Sequence, residues 1–167
     1  MRAMRELRHE TSDPWEALGS PDQVALFVFR LLGERYAVHA HLVHEVIRAG
    51  ALTRLPAAPA FLLGVFNHRG EILAVLDLAQ LLAEENTSLA QGARVAIVQS
   101  GPWKLALVAE ALEGLVSVPP TALEPPPTSW PGPSEFLECV AQTKDGPLSV
   151  LDLPRLIEVA RARGTSA

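Results

Sequence analysis

A mostly β fold assembled from two related halves is the class this sequence predicts, and three observations carry it. Fourteen prolines and eleven glycines interrupt 167 residues, a density of breakers that rules out a long-helix bundle and points to short strands joined by turns. Continuous apolar runs rich in β-formers are bounded by turn residues, as in Val24-Ala25-Leu26-Phe27-Val28-Phe29 between Pro21-Asp22 and Gly33-Glu34. Finally, Phe61–Leu82 aligns without gaps on Phe136–Ile157 at a constant offset of 75, with nine identities in 22 positions, Asp77/Asp152 and Leu76/Leu151 among them. That match implies two copies of one β unit ending in an Asp-capped helix, each too small to bury its own core. The halves should therefore pack on each other and leave a seam in which a binding groove would lie.

Taken in order, Val24–Phe29 reads as a buried strand with Arg35–Val38 as its hairpin partner. Leu42, Val43, Val46 and Ile47 recur at helical spacing for about one and a half turns, which suits a short helix or a bent strand before Gly50, Pro56 and Pro59 end regular structure. Asn67-His68-Arg69-Gly70 is turn-like and leads into the strand Glu71–Leu76, which stops at Asp77 before a one-turn apolar helix, Leu78–Leu82. Glu84–Gln91 reads as a polar loop. In the second half, Ala93–Gln99 and Trp103–Val108 flank Ser100-Gly101-Pro102 as a hairpin, and Leu112, Leu115 and Val116 follow at the positions of a short amphipathic piece. Seven of the fourteen prolines fall in Pro119–Pro133, an extended segment laid over the surface. Strands Glu135–Thr143 and Leu148–Leu151 then surround Lys144-Asp145-Gly146-Pro147, and Asp152 starts a closing helix, Leu153–Arg163.

Composition narrows the function classes. With 49% hydrophobic and 20% charged residues the chain has the composition of a folded globule. A net charge of -5 supplies no basic footprint for nucleic acid or an anionic membrane, which leaves protein or small-molecule partners. The single cysteine, Cys139, has no intramolecular partner, which fits a reducing cytoplasm. Residues 1–22 mix basic and acidic side chains with no apolar core of a signal peptide, and the twelve-residue uncharged run Leu55–Phe66 contains Pro56 and Pro59 and falls short of the roughly 20 needed to span a bilayer.

The sequence carries almost no motif of catalytic or metal chemistry. No P-loop, dinucleotide glycine fingerprint, nucleophile elbow or zincin helix occurs. His39, His41 and His44 form the one dense group of potential metal ligands, and with no cysteine or fourth histidine nearby they read as solvated or hairpin-end residues. Cys139, inside an apolar strand with no local basic neighbour, reads as a buried thiol and not a nucleophile. Asp77 and Asp152 share one setting, after a strand and before an apolar helical turn, and read as N-caps and not as paired catalytic carboxylates. Asn67-His68-Arg69-Gly70 is different. A turn explains Asn67 and Gly70 but does not require Arg69, whose fork of donors suits a carboxylate either inside the domain or on a partner.

Several segments together resemble the bacterial chemotaxis coupling proteins called CheW, of which this chain looks like a divergent member. They are Leu26–Tyr36 (LFVFRLLGERY), Val43–Ile47 (VHEVI), Leu55–Gly70 (LPAAPAFLLGVFNHRG), Ile72–Leu78 (ILAVLDL) and Val150–Leu156 (VLDLPRL). Pro59, Phe61, Gly64, Val65, Asn67, Arg69, Gly70, Asp77 and Leu78 fall in step with the family's turn motif and its flanking strands. The chain departs from that pattern at His68, where the family usually has Leu, and at Ala111 and Cys139, where Gly is usual.

The resemblance implies two small five-stranded, SH3-like β-barrel subdomains sharing a core, with short helices and a C-terminal helix. It divides the chain into a flexible N-terminal tail (1–22), a CheW-like unit (23–160) and a C-terminal tail (161–167). It further implies a cytoplasmic, non-enzymatic scaffold without cofactor or metal, which binds no nucleic acid and does not enter the membrane. Such a scaffold couples the cytoplasmic tip of a chemoreceptor to the regulatory domain of a CheA-type histidine kinase, at receptor clusters. The alternative is a receptor-side accessory protein that engages the receptor or array without recruiting kinase. Carried over by position, the implied protein-binding residues are Val43, Glu45, Gly64, Asn67, Arg69 and Leu115. Val43 and Leu115 would wall an apolar groove for an amphipathic receptor helix, with Arg69 at the rim.

Overall fold

The computed structural model describes residues 22–85, 93–130 and 134–165. The tail through residue 21, most of the polar loop after Glu85 and the end of the proline-rich segment lie outside the described residues. In chain order the elements are β1 (Val24–Leu31), β2 (Glu34–His39), a 3-10 turn (Ala40–Leu42), β3 (Val43–Arg48), β4 (Leu62–His68), β5 (Glu71–Asp77) and α1 (Leu78–Ala83). The second half continues with β6 (Arg94–Ser100), β7 (Trp103–Val108), β8 (Ala111–Val118), a 3-10 turn (Pro120–Ala122) and β9 (Leu123–Glu124). A 3-10 turn (Ser134–Phe136), β10 (Leu137–Thr143), β11 (Gly146–Leu151) and α2 (Leu153–Thr165) complete it.

These strands form two sheets, with orders β8-β1-β2-β11-β10-β9 and β3-β6-β7-β5-β4. The two halves of the sequence are thus interleaved. The first hairpin, β1-β2, shares a sheet with β8 to β11 of the second half, whereas β6-β7 shares the other sheet with β3 to β5 of the first. The offset of 75 is visible in the backbone. The β4/β5 ladder shifts register between Leu62 and Gly64, and the β10/β11 ladder shifts between Leu137 and Cys139, the same positions in the two copies. Asp77 N–H donates to the Phe61 carbonyl at 2.8 Å, and Asp152 N–H donates to the Phe136 carbonyl at 2.7 Å. Both aspartates then cap helices. Asp77 Oδ1 accepts from the N–H groups of Ala79 and Gln80 at 3.1 and 3.4 Å, and Asp152 Oδ1 accepts from Arg155 N–H at 3.1 Å.

Three hydrophobic clusters follow from the interleaving. A common core takes Phe27, Phe29 and Val38 from one sheet, Leu76, Val98 and Leu107 from the other, and Leu78, Leu81, Leu156 and Ile157 from the two helices. A smaller cluster sits within each sheet, around Leu26, Leu148 and Val150 in the first and around Phe66, Val75 and Ile97 in the second. Two subdomains sharing a core is therefore the architecture. Neither sheet is a closed barrel among the described residues: one has six strands, counting the two-residue β9, and the other has five. In the five-stranded sheet the segment that follows β3 bridges the edge strand β4 by two bonds, Thr53 N–H to Val65 carbonyl at 2.8 Å and Val65 N–H to Thr53 carbonyl at 2.9 Å. The six-stranded sheet repeats the device, because β9 pairs with β10 at Val140, the residue equivalent to Val65.

Two segments whose apolar spacing left the element type open are both strands. Leu112, Leu115 and Val116 lie on β8, and of the short helix or bent strand expected around Val43–Ile47 it is the strand that forms, as β3, with a register shift between Val43 and Glu45. Alternation places Leu112 and Val116 inward and leaves Leu115 43% exposed, while Val43 and Ile47 turn inward and Val46 is 38% exposed.

Candidate functional site

The β4–β5 hairpin is closed by a two-residue turn, since His68 pairs with Glu71 and leaves Arg69 and Gly70 at the tip. Both tip residues have positive φ, 51° at Arg69 and 84° at Gly70, the combination of a type I′ turn that matches the twist of a hairpin. Asn67 Oδ1 accepts from Gly70 N–H at 2.9 Å and fixes the turn. Arg69 therefore occupies a left-handed position that Asn or Gly fills with less strain. Its guanidinium stands out from that turn with 76% of the side chain exposed.

The curl of the five-stranded sheet brings β3 beside this turn. One carboxylate oxygen of Glu45 accepts from His68 Nε2 and the other lies 3.3 Å from Arg69 Nη1. Exposure rises outward along the trio, from 16% at His68 to 31% at Glu45 and 76% at Arg69. The His68 hydrogen bond, with the Arg69 and Lys104 charges behind it, holds the Glu45 carboxyl below its ordinary range against a smaller opposing effect of burial. Beside the trio a Lys104–Glu71 ion pair at 3.2 Å and His44 complete the lining of a shallow polar depression. The reach of Arg69 suits an external acceptor, because its single internal contact is long and solvated.

Val43 pairs with Val98 and packs on the common core, half-buried. Gly64 is buried, and a Cβ there would lie 2.5 Å from the Thr53 carbonyl oxygen and 2.9 Å from Leu52 Cδ2, so the approach of residues 52–53 accounts for the glycine. Leu115 lies on β8, paired with Phe27 of β1 in the six-stranded sheet. The structure thus brings Glu45 and Arg69 together, places Asn67 in the turn that carries Arg69, buries Gly64 in β4, and puts Leu115 on the six-stranded sheet.

His68 is the member that sequence reasoning missed as a site residue. Glu45 and His68 are 23 positions apart, and only curling of the sheet joins them, so local spacing carries no signal of the pair. Of the other polar candidates, His39 hydrogen-bonds Glu138 at 2.8 Å and its ring lies 5.8 Å from that of His41. Burial, with help from Glu138, pushes the Cys139 thiol up, away from the reactive thiolate. No helix among the described residues is long and apolar enough to cross a membrane.

Comparison with known proteins agrees with this architecture. The chain is 34% identical to Protein FrzA of Myxococcus xanthus over 152 residues, covering 90% of this chain and 94% of that protein. It is 25% identical to the chemotaxis protein CheW of Treponema pallidum over 140 residues, covering 81% and 82% of the two chains. The crystal structure of the scaffolding protein TtCheW from Thermoanaerobacter tengcongensis matches with a TM-score of 0.74 and 29% identity, covering 81% of this chain and 92% of that one. The CheW-like domain profile matches residues 25–161, from within β1 to within α2, and with these relatives it establishes that the chain belongs to the CheW-like family.

Proposed function

We propose that this protein is a non-enzymatic, cytoplasmic coupling scaffold that docks the helical tip of a chemoreceptor on the Glu45–Asn67–Arg69 face and recruits the regulatory domain of a CheA-type kinase through a separate surface. The observation that carries the reading is Arg69 itself. A long cation held in a left-handed turn position, 76% exposed and only loosely paired inside the protein, is strain maintained at the surface, and such strain is a mark of a binding site. Arg presents a planar fork that fits a carboxylate on a partner helix. Val43 and Gly64 serve this face from behind, by holding β3 on the core and by letting residues 52–53 close against β4. Leu115 is assigned to the same partner across the seam between the sheets.

Separate calorimetric titrations with a soluble receptor cytoplasmic fragment and with the kinase regulatory domain test the reading. Micromolar binding to both is expected of a coupler. Binding to the receptor fragment alone identifies the receptor-side accessory scaffold instead, and binding to neither refutes the docking reading.

A further inference from the structure

Glu45 divides its two oxygens between a ring nitrogen that is nearly buried and a guanidinium that is nearly free of the surface. An ionised carboxylate only accepts hydrogen bonds, so His68 Nε2 carries a hydrogen whenever this contact is made, and the charge of the ring is set at Nδ1. With neutral His68 the trio Glu45, His68 and Arg69 has no net charge. With imidazolium it carries one positive charge, and the added attraction draws Glu45 toward His68 and away from Arg69. The other charged or titratable groups that face the trio are His44 on β3, Glu71 on β5 and Lys104 on β7, and the last two are already paired with each other. The Phe66 ring, tilted 47° at 6.2 Å, backs the imidazole from within β4.

We propose that His68 is a positioning residue for Arg69, and that its protonation turns this face into a stronger acceptor for an acidic, carboxylate-bearing helix as pH falls. The inference rests on the docking reading for its partner, and on the Glu45–His68–Arg69 geometry alone for its mechanism. Histidine is in general the side chain whose charge changes between about pH 5 and 8, and the test spans that interval. One unit charge added within a few ångströms of a solvated contact tightens binding by about two- to fivefold between about pH 8 and about pH 5.5.

The test has two arms on the full chain. In the first, the ring nitrogens of His68 and the Nε–H of Arg69 are followed by NMR across the imidazole titration of the free protein. The Arg69 signal is expected to move in step with His68, and to lose that movement in both His68→Gln and His68→Leu. In the second, binding of a soluble receptor cytoplasmic fragment is measured at both pH values. His68→Gln, which keeps an amide donor for Glu45 but cannot charge, is expected to bind near the wild-type level at high pH with the pH response gone. His68→Leu is expected to be weaker throughout, whereas His44→Gln keeps the response. An Arg69 signal that ignores His68 titration, or a pH response that survives in His68→Gln, overturns the proposal. If the fragment binds at neither pH, the docking reading fails, and the NMR arm alone decides whether His68 controls Arg69.

Discussion

Gly64→Ala separates a folding role from a contact role at one of the implied binding residues. The new Cβ would meet the Thr53 carbonyl oxygen at 2.5 Å and Leu52 Cδ2 at 2.9 Å, where contacts below 3.0 Å force something to shift. Leu52 can rotate, but Thr53 cannot retreat freely. Its N–H and carbonyl are both bonded to Val65, at 2.8 and 2.9 Å. Moving that carbonyl back to an ordinary contact stretches the bridge by about 0.5–0.9 Å, past the range of a sound hydrogen bond. The loss of one bond at about 0.5–1.5 kcal/mol, with overpacking of about 1–3 kcal/mol, gives a destabilisation of roughly 2–4 kcal/mol. The backbone φ of +153° adds to this, since a side chain is strained there. For a chain of this size, thermal unfolding followed by circular dichroism should show the midpoint lowered by roughly 5–12 °C. Gly114→Ala is the internal control, because its φ is 111° but nothing lies within 4 Å of its Cβ; only the backbone penalty of about 1 kcal/mol is expected there. A Gly64→Ala variant that melts within about 1 °C of the wild type yet loses receptor binding would refute the packing argument and make Gly64 a direct contact.

Other perturbations have distinct signatures. Arg69→Gly relieves the left-handed strain at φ 51° and should leave the melting temperature unchanged or slightly raised, while receptor affinity measured by calorimetry falls; a large drop in stability would mark Arg69 as an internal structural partner. Asp77→Ala removes a buried cap that accepts two N–H groups and should destabilise by about 1–2 kcal/mol in urea titration, with receptor and kinase binding unaffected below the transition. Burial alone would raise the Glu113 carboxyl, but hydrogen bonds from Arg30 and Arg35 at 2.6 and 3.0 Å outweigh it and hold it below the usual 4.5. A carboxyl depressed on folding contributes stability that is present above its unfolded value and lost as pH falls through its folded value. Glu113→Gln should therefore flatten the fall of melting temperature below about pH 4.5, and an unchanged acid limb would show that Glu113 takes no part in it.

How much of this was legible in the sequence follows from which interactions are local. The Asp77 and Asp152 caps, the β4–β5 and β6–β7 hairpins and the repeat at offset 75 depend on neighbours along the chain, and each stands in the structure where the sequence put it. Leu112, Leu115 and Val116 were ambiguous because their spacing satisfies a helix face, while the pairing of β8 with β1 imposes alternation and turns Leu115 outward. The interleaving of the halves was not legible, since nothing local says that β3 joins β6 and that β8 returns to β1. The same non-locality hid the Glu45–His68 contact. At the turn, Arg69 could be singled out from the sequence as unexplained, but the left-handed backbone that gives this its meaning is visible only in the structure.

The proposed scaffold links receptor to kinase through two separate surfaces of one molecule. The most direct test of that link is sedimentation velocity of a soluble receptor cytoplasmic fragment and the kinase regulatory domain, with and without this protein. A ternary species that appears only when all three are present, and that is weakened by Arg69→Gly through loss of the receptor alone, is the predicted result. Mutually exclusive binary complexes, or no complex with either partner, would contradict it.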